Sequence, residues 1–159
     1  ILEQCGHSER ITLEVTESAL LRDPHTALQN LRALKARGAR ISVDDFGTGY
    51  SSLAQLKQLA PDELKIDKSF VFGLAETPAD QFIVDLIIDL AHKLGLEVVA
   101  EGIENAASWR YLSHRGADLM QGYFLSRPMP AEAMIAWVSE HNANRDRWLD
   151  RASDPQPQQ

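Results

Sequence analysis

The chain has 159 residues, of which 44% are hydrophobic and 25% charged, a composition typical of a soluble globular domain. Its formal net charge of −7 argues against binding to nucleic acid polymers or to anionic membrane surfaces, because both require an excess of Lys and Arg. The single cysteine, Cys5, excludes an internal disulfide, and no apolar run is long enough to predict a transmembrane helix.

Short β-branched runs alternate along the chain with longer stretches of helical apolar spacing. Strands are predicted at 11–16, 39–45, 63–67, 96–101 and 118–124. Helices are predicted between Pro24 and Gly38, between Ser51 or Ser52 and Pro61, between Pro78 and Gly95, between Asn105 and Gly116, and after Pro130. Residues 1–142 therefore form the predicted domain, and the polar, Pro- and Gln-rich residues 143–159 are predicted to be a disordered tail.

The helix after Pro78 is the longest of the predicted helices. Its leucines and one phenylalanine recur at a spacing of four residues, at Phe82, Leu86, Leu90 and Leu94. Because residues four apart lie on one side of a helix, these four side chains are expected to face the core.

A basic residue and a glycine precede a predicted strand three times, in LKARGARISVD, AHKLGLEVVAE and LSHRGADLMQG. Each copy is predicted to be the exit of a helix into a strand. Repeated units of this kind form a parallel sheet with helices on its outside. The fold class is therefore α/β, with about five parallel strands that form either an open sheet or the later part of a (β/α)8 barrel.

Polar side chains stand near the C-terminal end of every predicted strand. They are Glu14, Asp44, Lys65, Glu101 and Gln121. Alternate residues of a strand point to opposite faces, and the C-terminal ends of parallel strands meet at one edge of the sheet. We therefore expect four of these side chains to converge, with Asp45, Glu17 and Glu104 just beyond them. The four are Glu14, Asp44, Lys65 and Glu101.

Several carboxylates in one pocket repel each other unless cations neutralise them, and one lysine is not enough. Oxygen ligands favour Mg2+ or Mn2+, whereas a zinc site would favour His or Cys. The alternative is that these acids are solvated caps and loop residues. That alternative is at least as good for Glu17 or Glu104 alone, but much weaker for the remaining acids taken together. Glu63 and Asp67 are interpreted as ordinary polar residues at strand ends.

In their order and spacing, LEVTES, DDFGTGYSSL, LKIDKSF, VVAEGIE and QGYFLSRP resemble the EAL-domain family. Members of that family hydrolyse the bacterial second messenger cyclic di-GMP. The resemblance runs from about Ile11 to the last helix. It implies part of a modified TIM-like (β/α)8 barrel, and two Mg2+ or Mn2+ ions that open one phosphodiester of cyclic di-GMP to give linear pGpG.

The resemblance also implies a role for each matching residue. Glu14, Asp44, Asp45 and Glu101 resemble metal ligands, with Asp44 between the two ions. Lys65 resembles the residue that holds the attacking water or a phosphate oxygen, and Glu101 also resembles the general base. Supporting roles are implied for Glu17, Glu104, Gln121, Gly47, Thr48 and Gly49. In the family, the loop that contains these glycines links substrate binding to dimer contacts.

The Glu-Ala-Leu motif and the Asn-x-Ser strand end of the family do not occur in the chain. Both are expected upstream of Ile1, so the chain resembles about the last three-fifths of a family barrel. As given, it is expected to be inactive, and activity is expected of a longer parent protein. The resemblance further implies a homodimer, a GGDEF or sensory domain upstream, and a cytoplasmic location.

Two other functions compete with hydrolysis. A receptor that binds cyclic di-GMP without catalysis would be expected to carry damaged metal ligands or a damaged loop, and neither is seen in the matching part. An unrelated metal-dependent α/β enzyme or a scaffolding barrel is disfavoured by the length of the match.

Overall fold

The computed structural model describes residues 8–16, 19, 23–48, 53–74 and 76–144. Its strands are β1 (Thr12–Thr16), β2 (Arg40–Phe46), β3 (Glu63–Ile66), β4 (Glu97–Ala100) and β5 (Leu119–Met120). Its α-helices are α1 (Pro24–Lys35), α2 (Leu53–Leu59), α3 (Lys68–Phe72), α4 (Pro78–Lys93), α5 (Ala106–Arg115) and α6 (Ala131–Ala143). No helix within these ranges is long and apolar enough to cross a membrane.

The five described strands form one parallel sheet in the order β1-β2-β3-β4-β5. Each strand therefore pairs with the strand that precedes it in the chain, as in the wall of a (β/α)8 barrel. The predicted α/β class with about five parallel strands is confirmed. Within the described part of the chain, β1 and β5 are the two edges of the sheet.

The core lies between one face of the sheet and the helices. Ile41, Leu64 and Val98 from three neighbouring strands are fully buried there, as are Val84 and Ile88 of α4. Complete burial of one such side chain contributes roughly 1.5–3 kcal/mol to stability. Because this face is apolar, the polar residues that alternate with it are left on the opposite face of the sheet.

The prediction for α4 is wrong in its orientation, although Leu90, one of the four residues predicted to face the core, is partly buried against it. Val84, Ile87, Ile88 and Ala91 form its buried face, whereas Phe82 is 68% and Leu86 57% exposed, and Leu94 is also exposed. The helix is apolar on several sides, so a spacing of four residues could not indicate which of its apolar faces is buried. As a result, α4 carries an exposed apolar stripe of Phe82 and Leu86.

Helix boundaries follow their capping residues closely. The Asp23 side chain accepts a hydrogen bond from the Thr26 N–H (3.2 Å), and the Asn105 side chain accepts one from the Ser108 N–H (2.9 Å). These caps begin α1 and α5 where the sequence predicts. At the C-terminal end, α6 continues through Ala143, so the residue at which a tail was predicted to begin is still helical. Residues 145–159 lie outside the described ranges.

Ion pairs and hydrogen bonds of charged side chains stabilise the amino edge of the sheet, where its strands begin. The Arg40 guanidinium pairs with Glu63 (3.2 Å) and also with Glu97. Glu63 is buried rather than solvated as the sequence predicted. Asp118 accepts hydrogen bonds from the Val98 N–H (2.8 Å) and from His92 (3.0 Å). Burial alone would raise the pKa of Asp118, but these bonds outweigh it and hold the pKa below its ordinary value.

Strand β5 is shorter than predicted, with two residues in place of the range 118–124. Beyond it, the chain turns against the segment after β4. The Ile103 N–H donates to the Gln121 carbonyl (3.1 Å), and the Phe124 N–H donates to the Ile103 carbonyl (2.9 Å). A Cβ on Gly122 would lie 2.1 Å from the Ile103 carbonyl oxygen. Glycine is therefore required here so that the two loops can meet.

We predict that Gly122→Ala lowers the free energy of unfolding by about 3 kcal/mol, because backbone atoms cannot move aside as a flexible side chain can. Urea unfolding followed by circular dichroism would measure the change. Gly95→Ala is the matched control: Gly95 also lies in a loop, but it has open space around it and only the left-handed backbone (φ +73°) to penalise. Its cost should be about 1 kcal/mol. Equal effects of the two changes would contradict close loop packing at Gly122.

Candidate active site

Three carboxylates from three strands, or from the residue just after a strand, surround one lysine. The Lys65 Nζ lies 2.9 Å from Glu14 Oε1, 3.3 Å from Asp44 Oδ1 and 2.6 Å from Glu101 Oε1. Glu14 is on β1, Asp44 on β2 and Lys65 on β3, and Glu101 follows β4. The structure thus brings together the four side chains whose convergence the sequence predicts.

Lys65 is held in a charged state although its side chain is only 6% exposed. Burial lowers the pKa of Lys65, but hydrogen bonds to Glu101 and Glu14 outweigh this effect and raise the pKa above its ordinary value. A protonated Lys65 donates three hydrogen bonds and accepts none. It therefore neutralises one of the three negative charges around it and leaves a formal charge of −2 on the cluster.

Asp44 and Asp45 lie inside β2, which continues to Phe46, rather than at its end as the sequence predicted. The pairing of β2 with β3 shifts register between Val43 and Phe46, and Asp45 adopts a left-handed backbone with φ of 56°. In a regular strand, two adjacent side chains point to opposite faces. The irregularity breaks that alternation, so the side chains of Asp44 and Asp45 need not point to opposite faces of the sheet.

Asp45 is oriented by a residue that the sequence interpretation set aside. Burial raises the pKa of Asp45, as do the nearby carboxylates of Asp44 and Asp67, and the Asp45 carboxyl shares a hydrogen bond with Asp67. Asp67 also caps α3 by accepting the Ser69 N–H (2.9 Å). Burial raises the pKa of Asp67, but the bonds from Ser69 outweigh it and lower the pKa. The Asp-x-Ser pattern in LKIDKSF indicates the helix cap but not the contact between Asp67 and Asp45.

The loop after the two aspartates is fixed locally at its start. The Thr48 side chain donates to the Asp45 carbonyl (2.9 Å), and the Thr48 N–H donates to the same oxygen (3.3 Å). Gly47 has a φ of 97° and lies against Phe70 and Ile87. Gly49 and Glu17, for which roles were also predicted, lie outside the described residues.

Gln121 and Glu104 differ in their relation to the cluster. Gln121 lines a cavity of about 230 Å³ together with Lys65 and Glu14, on the polar face of the sheet. Glu104 is exposed, and no ion pair joins it to the other described residues. The structure therefore brings Gln121 to the cavity of the candidate site, whereas no ion pair ties Glu104 to the cluster within the described residues.

The donor set fits divalent cations. Its ligand atoms are carboxylate oxygens, the cluster keeps a formal charge of −2, and Lys65 contacts one oxygen of each carboxylate, so a second oxygen of each remains for an ion. Within the described ranges, no group of three or more His, Cys, Asp or Glu side chains is arranged to hold an ion as it stands. In the structure, one oxygen of each of the three carboxylates contacts Lys65 instead.

The sequence matches the model of the EAL domain over residues 1–128. It is 48% identical, over 139 residues, to the bifunctional diguanylate cyclase/cyclic di-GMP phosphodiesterase MucR of Pseudomonas aeruginosa, covering 87% of this chain and 20% of MucR. The chain therefore spans about a fifth of the length of that relative.

Solved structures agree with this similarity. A PaMucR phosphodiesterase in complex with c-di-GMP superposes with a TM-score of 0.78 at 47% identity, covering 80% of this chain and 52% of that chain. A manganese and cyclic di-GMP complex of Klebsiella pneumoniae BlrP1 superposes with a TM-score of 0.71 at 35% identity, covering 76% of this chain and 31% of that chain.

Proposed function

Because the chain belongs to the EAL domain family, we propose that the protein that carries it hydrolyses cyclic di-GMP to linear pGpG. The convergence of Glu14, Asp44 and Glu101 on Lys65 is the observation that carries this proposal. An acidic pocket with one buried cation suits the hydrolysis of a phosphodiester with the help of divalent metal ions. It does not suit recognition of an anionic ligand by positive charge alone.

Two Mg2+ or Mn2+ ions are proposed as cofactors, held by Glu14, Asp44, Asp45 and Glu101. The excess negative charge and the oxygen donors of the cluster support this assignment. Manganese in the BlrP1 complex is a property of that related protein and supports it by similarity. When bound, such ions supply an activated water and stabilise the charge that develops on the phosphate.

The residues of this chain have separate tasks in the proposed reaction. Glu101, 2.6 Å from the Lys65 ammonium, accepts the proton of the attacking water as a general base. Lys65 holds a phosphate oxygen or that water, and its raised pKa keeps its positive charge available for this contact. As the new P–O bond forms, one phosphodiester bond to a ribose oxygen breaks, which opens the ring of the dinucleotide.

Supporting roles are proposed for the other family positions. Gln121 acts at the cavity through water, and Thr48 holds the turn that fixes Asp45. Gly47 and Gly49 let the loop bend, and Glu17 steadies it. For Glu104 the proposed role is that of an outer group of the metal site.

A direct assay tests the function. The assay uses the complete gene product, which is the protein encoded by the whole reading frame that contains these residues. This protein is incubated with cyclic di-GMP and Mg2+ or Mn2+, and the nucleotides are then separated by chromatography. Metal-dependent formation of pGpG is expected. Binding of cyclic di-GMP without turnover would identify a receptor instead, and neither binding nor turnover would overturn both functions.

The proposed setting of the domain follows from the same family. We place it in the cytoplasm, where the second messenger occurs, and expect further domains in the complete gene product, such as a GGDEF or sensory domain. The length of MucR and its additional diguanylate cyclase activity are the support for this expectation.

We further propose that the domain forms a homodimer and that the exposed stripe of Phe82 and Leu86 lies in the interface. Leu86→Asp would bury a charge there and should weaken dimerisation at least about tenfold. Light scattering after size exclusion would measure the mass. Ile135→Asp is the matched control, because Ile135 is 68% exposed but lies on α6. A dimer that survives Leu86→Asp but dissociates with Ile135→Asp would place the interface on α6.

A further inference from the structure

Glu101 begins a loop, whereas the other three side chains of the cluster lie on β1, β2 and β3. Strand β4 ends at Ala100, one residue before it. The Glu101 N–H donates to the Ile66 carbonyl of β3 over 3.4 Å, which is longer than the range of about 2.7–3.2 Å that is usual for such a bond. The sheet therefore holds the Glu101 backbone only weakly, and contacts of the residues that follow contribute to its position.

Gly102, the next residue, lies against the start of α3. Its backbone is left-handed, with a φ of 71°, a conformation that other residues rarely adopt. A Cβ at this position would lie 2.5 Å from the Lys68 Cβ, 3.3 Å from the Lys68 Cα and 3.4 Å from the Phe72 ring. Because the two Lys68 atoms are fixed by the helix backbone, they cannot move aside as the end of a long side chain can. Both the backbone conformation and the close approach therefore require glycine.

The chain after β5 holds the other side of the same loop. Ile103 is fully buried. Its N–H donates to the Gln121 carbonyl (3.1 Å), and its carbonyl accepts the Phe124 N–H (2.9 Å). Contacts on two sides thus fix the two residues that follow Glu101. The Glu101 side chain therefore starts from a fixed backbone, and its Oε1 lies 2.6 Å from the Lys65 Nζ.

We propose that Gly102 is a positioning residue, which keeps the Glu101 carboxylate in place for catalysis by letting the loop after β4 lie against Lys68. The inference rests on the proposed function, in which Glu101 is the general base. The Cβ of an alanine at position 102 would lie about 1 Å inside the 3.4 Å at which ordinary contact begins, so the loop would have to move by about that distance. A displacement of about 1 Å can slow a catalysed step about 100-fold, because the reacting atoms no longer meet in a productive geometry.

The test measures kcat and KM for cyclic di-GMP in variants of the complete gene product, with kcat referred to the folded fraction from circular dichroism. Gly102→Ala should lower kcat about 100-fold and change KM less than about threefold, because Lys65 and Asp44 keep their places on strands. Equilibrium binding of cyclic di-GMP in Ca2+ should likewise change less than about threefold. A role in stability alone would lower the unfolding midpoint but would leave kcat per folded molecule unchanged.

A second change, at Lys68, shows whether the close contact is the cause. Lys68→Gly removes the Cβ that the alanine would meet, so adding it to Gly102→Ala should raise kcat at least about tenfold. Lys68→Ala also removes the charge but keeps this Cβ, and adding it to Gly102→Ala should give no recovery. Gly95→Ala is the control for the left-handed backbone alone, since Gly95 has a φ of 73° and open space around it, and this change should leave kcat unchanged.

Different failures have different meanings. If the wild type hydrolyses cyclic di-GMP and Gly102→Ala keeps the wild-type kcat per folded molecule, the positioning role is overturned and the proposed function stands. A loss of kcat that Lys68→Gly does not restore, or that Lys68→Ala restores equally, also overturns the role, because the contact is then not its cause. If the wild type does not hydrolyse cyclic di-GMP, the proposed function and the positioning role fall together.

One further measurement covers the case in which Gly102→Ala alone does not fold. The variant that combines Gly102→Ala with Lys68→Gly then decides, because the contact is relieved in it. Its kcat per folded molecule should lie within about tenfold of the wild type. A larger loss in this folded variant would overturn the proposal.

Discussion

Asp44→Ala in the complete gene product is expected to lower kcat for cyclic di-GMP hydrolysis by at least about 1000-fold, which corresponds to about 4 kcal/mol of lost transition-state stabilisation. Asp44 is the acid at the centre of the cluster. Its Oδ1 lies 3.3 Å from the Lys65 Nζ and accepts the Asp45 N–H (3.0 Å). The change therefore removes a proposed ligand of both ions and also releases the backbone turn that positions Asp45.

A second variant separates these contributions. Asp44→Asn keeps an oxygen that can accept the Asp45 N–H but removes the negative charge, so it should lose metal-dependent turnover while retaining the wild-type unfolding midpoint. Asp89→Ala is the control. The Asp89 side chain on α4 is 62% exposed, and its removal should leave kcat unchanged. Turnover by Asp44→Ala within about tenfold of the wild type would contradict the proposed metal site.

Lys65→Met is expected to affect stability as well as activity. The methionine fills a similar space but leaves Glu14, Asp44 and Glu101 facing each other without a cation. We predict that the free energy of unfolding in EDTA falls by about 3 kcal/mol, as when one partner of a buried ion pair is removed. Mg2+ should restore much of this loss, because a divalent ion can take the place of the missing charge. Hydrolysis should not return, since the contact with the phosphate oxygen or the water is gone.

The measurement is urea unfolding with EDTA and again with millimolar Mg2+. Lys35→Met is the matched control, because the Lys35 Nζ also pairs with a carboxylate, Asp62 (2.9 Å), but at the amino edge of the sheet and away from the cluster. That variant should lose stability without recovering it in Mg2+. If Lys65→Met is as stable as the wild type in EDTA and does not respond to Mg2+, the three carboxylates do not form a cation site.

The order of strands and helices could be predicted because local signals and the global fold agree. Asp23 and Asn105 cap helices in the structure as their side chains allow, and β-branched runs form the buried strands. The face of α4 could not be predicted in the same way. A helix that is apolar on several sides has no single preferred orientation, so tertiary packing decides which row is buried. The length of β5 depended on the contact between Gly122 and Ile103, which joins residues far apart in sequence.

The part of the candidate site that lies on regular strands could be predicted from the alternation of side chains. Glu14, Asp44 and Lys65 each occupy the face opposite the core, and regular strands place them together. The position of the Asp45 side chain could not be predicted, because its left-handed backbone breaks the alternation. Two adjacent aspartates gave a hint, since Asp tolerates this conformation better than most residues. The contact with Asp67 follows from that local departure and carries no pattern of its own.

The sequential order of the strands bears on how the molecule folds. Each new strand pairs with the one synthesised just before it, so few contacts of the sheet require distant parts of the chain to meet. Folding can therefore advance from β1 towards β5 while the chain emerges from the ribosome. In this order, Lys65 on β3 pairs with Glu14 and Asp44 before the segment with Glu101 has been synthesised. The third carboxylate, Glu101, joins the cluster only when the segment after β4 folds, and by then the positive charge of Lys65 is already in place.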